Sequence, residues 1–291
     1  MNKNIRFNAF YVAVCVFGLM TLAVISLGMA NAEVSIGLIG IVIFSIPLAM
    51  IWYSTHLYMG KSHAIRTQNE ALRIANERLE TSYLSTIRAL AAAIDAKDHY
   101  THGHSEMTMR YAVGTARELG LDEEQIANVH IAALLHDVGK IGIPDSLLNK
   151  PSKLSQEEWQ IMKEHPVLGA NLILQVELLS SAVEAVRHHH ERYDGMGYPS
   201  GLRGEEIPIS AQIIAVADSF QAITSSRPYR PARTVAEGLT ELRRCVGAQF
   251  SPRVVEAMHR VVLTDDGLQV VATPGLPSSF QVRPDDLKSL V

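Results

Sequence analysis

Residues 187–199, Arg-His-His-His-Glu-Arg-Tyr-Asp-Gly-Met-Gly-Tyr-Pro, place three consecutive histidines ahead of a turn-rich loop. Neutral imidazole is the commonest transition-metal ligand, and imidazole combined with carboxylate suits zinc, iron or manganese. Asp194-Gly195 and Gly197-Tyr198-Pro199 supply the turn, since glycine adopts positive φ and proline presets its own. A polar loop that merely carries histidines is the competing reading. The rest of the chain decides against it.

Further residues of the same chemistry are embedded in apolar runs. His136-Asp137 follow Ala132-Ala133-Leu134-Leu135, and Asp218 follows Val216-Ala217. His165 precedes Pro166, while His189 and His190 close a run containing Val183 and Val186. His104 lies upstream in Thr101-His102-Gly103-His104. A buried His or Asp is costly unless it is paired or metal-bound. Taken singly, each reads as a satisfied structural residue. Together they exceed what one octahedral ion can use, which predicts a multinuclear metal site. His188, His99, His102, His130 and His259 are read as surface or supporting residues and not as ligands.

The elements that must position these groups are helical. Ile126, Val129, Ala133 and Leu134 run at helical spacing into His136-Asp137. Ile213, Ile214, Val216 and Ala217 do the same into Asp218. Ser155-Gln156-Glu157-Glu158 is a capping box that opens a helix, with Leu154 and Trp159 spaced as a hydrophobic staple. No alternating strand pattern competes, so an all-α domain over about 83–262 is expected.

Ahead of it, 61–96 contains neither proline nor glycine, and Ile65, Leu72 and Leu79 recur every seventh residue. This predicts a helical connector, either a short coiled coil that makes a homodimer or a single amphipathic helix packed on the next domain. Residues 1–60 hold two apolar runs, 8–30 and 34–54, each near the roughly 20 residues a bilayer crossing needs. They predict a transmembrane helical hairpin turning at Asn31-Ala32-Glu33. Lys3 and Arg6 before it, and Lys61, Arg66 and Arg73 after it, put both ends in the cytoplasm. Ala30-Asn31-Ala32 also resembles a signal-peptidase site, though the apolar stretch exceeds the roughly 7–15 residues usual there. Residues 263–291 read as a loosely packed tail.

A net charge of −4 gives no electrostatic reason to expect a nucleic-acid polymer as partner. Cys15 and Cys245 are too far apart for a disulfide framework.

The string His136-Asp137-x-Gly139-Lys140, His165-Pro166-x-x-Gly169 and His189-His190-Glu191-Arg192-x-Asp194-Gly195-x-Gly197-Tyr198-Pro199-x-Gly201-Leu202 resembles the HD-GYP domains in order and spacing. Ala217-Asp218, Arg227-Pro228-Tyr229-Arg230 and Gly247-x-x-Phe250-x-Pro252 continue the match. The resemblance implies an HD-type metallohydrolase: a metal-dependent phosphodiesterase that converts cyclic di-GMP, a bacterial second messenger, to linear pGpG and on to GMP. With the apolar hairpin, it implies a multi-pass protein of the bacterial inner membrane with a cytoplasmic catalytic domain.

Carried over, it gives one ion to His104, His136, Asp137 and Asp218, and a second to His165, His189 and His190, with Asp137 bridging. Two divalent ions, iron or manganese, are implied. Some members hold a third through a glutamate where this chain has Tyr100, which argues against a third here. Met107 stands where an arginine is common. Paired ions would activate a water and clamp a phosphate oxygen. Lys140 would act beside Asp137 at the reacting centre and contact substrate, and Arg227 and Arg230 resemble the family's phosphate-binding pair. The Gly-Tyr-Pro loop is expected to wall the substrate or recruit partner proteins. Two alternatives stay open: a silent module that binds nucleotide or partner proteins, and a hydrolase for another cyclic dinucleotide.

Overall fold

The computed structural model describes residues 17–23, 26, 32–98, 103–226 and 231–264. The chain forms two compact units, one reaching to Ile74 and the other starting at Ala75. Among the described residues regular structure is helical, apart from an isolated bridge between Val246 and Phe250. The all-α expectation holds.

Helix α1, Ala32–Lys97, contains the whole predicted connector and starts well before it. Ala32 and Glu33 are therefore helical, not part of a turn. The membrane hairpin and the membrane localisation are corrected: no helix among the described residues is long and apolar enough to cross a membrane. Most of 8–30 and the Ala30-Asn31 peptide lie outside the described residues, as does the tail beyond 264. Of the connector's heptad residues, Ile65 and Leu79 are more than half exposed, and Leu72 is half-buried.

The second unit is built from short helices: α2 His104–Glu118, α3 Glu123–Leu135, α4 Asp145–Leu148, α5 Gln156–Met162 and α6 His165–Ile173. These are followed by α7 Val183–His188, α8 Ile209–Thr224, α9 Val235–Arg244 and α10 Pro252–Leu263. Helices α2, α3 and α8 pack on one another through residues with small side chains. Ala112, Ala116, Ala132, Ala133, Ala211 and Ala217 are fully buried, and such residues let backbones approach closely. Tyr111 meets Phe220 edge to face, ring centroids 5.0 Å apart, tying α2 to α8.

The predicted capping box at α5 is present: Ser155 Oγ accepts from Glu158 N–H, and the Glu158 carboxylate accepts from Ser155 N–H. Asp122 with Gln125 and Thr234 with Glu237 cap α3 and α9 in the same way. Each box satisfies two amides at a helix start that otherwise lack partners.

His130 on α3 is not a surface residue. It is 1% exposed, its Nε2 has no hydrogen-bond partner among the described residues, and burial, aided by Arg88 and Arg117, lowers its pKa to about 4. The folded state thus binds this proton more weakly than the unfolded chain, whose imidazole titrates near 6.5. Stability is at its full value above pH 6.5 and drains away as pH falls toward 4. The expected loss attributable to His130 is roughly 3 kcal/mol at the acid end. Urea unfolding at pH 7 and pH 4.5 tests this: His130→Met should show a smaller difference between the two pH values than the native chain. Equal differences would acquit the imidazole.

Candidate metal centre

Helix α3 stops at Leu135, and the chain turns through His136 and Asp137 into a 3-10 turn, Val138–Gly142. That turn lies against α6 because neither facing residue has a side chain. A Cβ on Gly139 would come within 1.9 Å of the His165 carbonyl oxygen and 2.4 Å of Gly169 N. The contact brings the α3 terminus, with its His-Asp pair, beside His165, the first residue of α6. Gly139→Ala is expected to destabilise the fold by about 3 kcal/mol or more, since backbone must move to admit the methyl. It should also lower metal content, because α6 would carry His165 away. Chemical denaturation and metal analysis read the two effects; a variant as stable as the native chain would refute the contact.

Three imidazoles are fixed by the backbone of their own turn. The Nδ1–H of His136 donates to the Ala133 carbonyl at 2.8 Å, that of His165 to Met162 at 2.8 Å, and that of His189 to Val186 at 2.7 Å. His104 Nδ1 meets Gln221 Oε1, and the Gln221 amide nitrogen donates to Ser225 Oγ at 2.8 Å. A carbonyl oxygen can only accept, so each Nδ1 carries hydrogen and each neutral ring presents a bare Nε2.

Those bare nitrogens converge. His104 Nε2 lies 3.3 Å from His136 Nε2, and His165 Nε2 lies 3.4 Å from His189 Nε2. Two lone pairs aimed at each other across that gap repel unless a cation sits between them. A proton is disfavoured in the second pair: burial lowers the pKa of His165 and takes that of His189 far below its ordinary value. His190 beside them is pushed down to about 3 for the same reason.

Asp137 faces both groups. Its Oδ2 lies 3.5 Å from His136 Nε2 and 3.9 Å from His104 Nε2, while its Oδ1 lies 3.4 Å from His165 Nε2. Asp218 Oδ1 lies 3.3 Å from His104 Nε2. Two sets of donors that could each hold an ion result, His104–His136–Asp137 and His165–His189–His190. Burial alone would raise the pKa of Asp137, but Lys140 foremost, then the surrounding imidazoles, hold it well below the carboxylate range. Asp218 is likewise lowered against its burial by His104 and His136. Both are anions ready to ligate. The donor chemistry therefore fits divalent metal ions.

Lys140 Nζ sits between two carboxylates, 2.7 Å from Asp137 Oδ2 and 3.0 Å from Asp98 Oδ2. Burial would lower its pKa, but Asp137 and Asp98 raise it above that of an ordinary lysine, so the ammonium persists. At the end of α1, Lys97 Nζ donates to the carbonyls of Lys140, Ile141 and Ile143 at 3.0, 2.9 and 2.8 Å, which pins the 3-10 turn. Asp98, Lys97 and Gln221 escaped the sequence reading. An ionisable pair closing a helix whose Ala91 and Ile94 are buried was the available signal for the first two.

Tyr198 stands at the wall of the second donor set, its ring 5.0 Å from that of His190. His188, read as a surface or supporting residue, is buried, with Nε2 3.4 Å from Glu184 and Nδ1 3.4 Å from Glu191. Arg227, Arg230 and Tyr100 lie outside the described residues, as do His99 and His102. Met107 packs against the hydrophobic core.

A model of the HD domain matches residues 88–254, more than half of the chain. The chain belongs to the HD domain family, and its motifs are those of the HD-GYP branch. Among curated proteins it is 42% identical over 202 residues to the cyclic di-GMP phosphodiesterase response regulator RpfG of Xanthomonas campestris, covering 69% of this chain and 53% of that protein. It is 44% identical over 167 residues to a cyclic di-GMP phosphodiesterase of Thermotoga maritima, covering 57% and 45%. The chain thus spans about half the length of the curated relatives it matches. Among solved structures, the cyclic GMP-AMP specific phosphodiesterase V-cGAP3 of V. cholerae shares the fold, with a TM-score of 0.53 at 18% identity over 70% of this chain and 56% of that one.

Proposed function

We propose that this chain is a metal-dependent phosphodiesterase that opens cyclic dinucleotides, with cyclic di-GMP as its preferred substrate. The observation that carries the reading is the pair of facing Nε2 lone pairs, with Asp137 offering one oxygen to each side. The first ion would be held by His104, His136, Asp137 and Asp218, and the second by His165, His189, His190 and the other oxygen of Asp137. The nitrogen and oxygen donor set suits iron or manganese. Bound there, the cations supply Lewis acidity at a phosphodiester oxygen and make a water acidic enough to attack.

The protein's own groups have distinct tasks in this reading. Asp137 stays ionised and fixes the spacing of the two sides. Lys140 keeps a positive charge beside the reacting phosphorus, where negative charge builds on the equatorial oxygens. Arg227 and Arg230 would take the non-scissile phosphate, for which the guanidinium fork is suited. In-line departure of the 3′ oxygen yields linear pGpG, and a second cleavage yields GMP. The exposed Ile65 and Leu79 support a homodimer seam along α1.

The test is hydrolysis by the full chain, loaded with iron(II) or manganese(II) in the absence of air, of cyclic di-GMP and of 3′3′-cGAMP. Cyclic di-GMP is expected to be cleaved at least tenfold more efficiently. A preference for 3′3′-cGAMP, the substrate class named for V-cGAP3, would reassign the substrate. No turnover of either with metal bound would make the chain a binding module.

A further inference from the structure

The Gly-Tyr-Pro loop is tied to the rest of the domain at both ends, and the two ties differ. At its base, Asp194 N–H donates to the Ala248 carbonyl at 2.8 Å and Tyr193 N–H to that of Gln249 at 3.2 Å. Arg192 and Asp194 pair there through two bonds, and Asp194 Oδ1 also accepts from Met196 N–H at 3.0 Å. At the end nearest the histidines, Tyr198 N–H donates to the His190 carbonyl at 3.2 Å. A side-chain tie at that end is Glu191, whose Oε1 accepts from Ser200 N–H at 2.7 Å.

Glu191 is 4% exposed, and its Oε2 is buried without a hydrogen-bond partner among the described residues. A carboxylate so placed loses hydration that one backbone amide and a 3.4 Å approach to His188 Nδ1 replace only in part. The chain closes over it without slack, since a Cβ on Gly197 would come within 2.5 Å of Glu191 Cα and 2.3 Å of Arg192 N. Such a residue is poor at stabilising the fold, yet its one strong bond fixes Ser200, two residues beyond the tyrosine that flanks His190.

The geometry points to Glu191 as the positioning residue of the substrate wall: its carboxylate holds Ser200, and through it the ring of Tyr198, against His190. It touches neither the proposed ions nor the reacting atoms. Its effect on turnover rests on the phosphodiesterase reading; its effect on the loop does not.

Two variants of the full chain, Glu191→Ala and Glu191→Gln, separate the possibilities. Amide hydrogen exchange of the 196–201 segment should quicken by roughly tenfold or more at Ser200 in Glu191→Ala. It should stay near the native rate in Glu191→Gln, whose amide oxygen can still accept. With cyclic di-GMP and bound manganese, Glu191→Ala should raise KM by roughly tenfold with kcat within about threefold and metal content unchanged, and glutamine should restore most of the loss. Unchanged exchange at Ser200 in Glu191→Ala would overturn the inference. So would a glutamine variant as impaired as alanine, because charge and not the tie would then matter. If the native chain hydrolyses nothing, the functional reading fails while the exchange data still decide the role of Glu191.

Discussion

Asp137→Ala is expected to lose turnover by at least about a thousandfold and to be purified with far less metal than the native chain. The expectation is larger than for any single histidine because this carboxylate reaches both donor sets, with Oδ2 toward His104 and His136 and Oδ1 toward His165. In the two-ion reading, removing it would take a ligand from each side and withdraw the negative charge that also faces the Lys140 ammonium. His136→Ala, by contrast, should deplete mainly one ion. Metal analysis beside a cyclic di-GMP hydrolysis assay measures both quantities. Near-native activity in Asp137→Ala would dismantle the two-ion reading.

Lys140→Met is expected to act on two properties at once. Without metal, the ammonium separates the carboxylates of Asp98 and Asp137, both nearly inaccessible to water. Its loss removes the cation that the two buried carboxylates share, and the metal-free protein should be destabilised by about 3 kcal/mol. Added divalent ions should recover part of that stability by neutralising Asp137. With metal, kcat should fall by roughly a hundredfold to a thousandfold, the usual consequence of removing one preorganised donor from a charge-developing centre. Lys140→Arg should restore little, because a planar guanidinium does not fit where a compact ammonium touches two carboxylates at 2.7 and 3.0 Å. Urea unfolding with and without metal, together with steady-state kinetics, reads these effects. A kcat within threefold of native would confine Lys140 to a structural part.

The donors were legible because each is a polar residue inside an apolar helical run, as with His136-Asp137 after Ala132-Ala133-Leu134-Leu135. Their grouping into two sets came from the family resemblance, and the distances bring His104, His136 and Asp137 together in one group and His165, His189 and His190 in another, with Asp218 beside His104. The supporting groups were not legible, for a physical reason. Asp98 meets Lys140 across 42 residues and Gln221 meets His104 across 117, and a single sequence carries no sign of such pairings. Whether His130 and His188 lie at the surface or support from inside was left open, because the polar face of a helix cannot be told from an accommodated buried imidazole by spacing alone. At the other end of the chain, hydropathy suggested a paired crossing of a bilayer, where the described residues hold one long helix lacking a sufficient apolar stretch.

The hydrogen bonds from His136, His165 and His189 to carbonyls three residues earlier are local bonds, each closed within a single turn of chain. Tautomer choice is therefore settled turn by turn and does not await the arrival of an ion. Rings oriented in advance have little rotational freedom left to surrender on capture, so the entropy of ordering them belongs to folding. Affinity for an ion held there and resistance to unfolding would in consequence be two readings of one free energy: whatever loosens the helices would loosen the grip on the metal, and saturating metal is expected to raise the melting temperature.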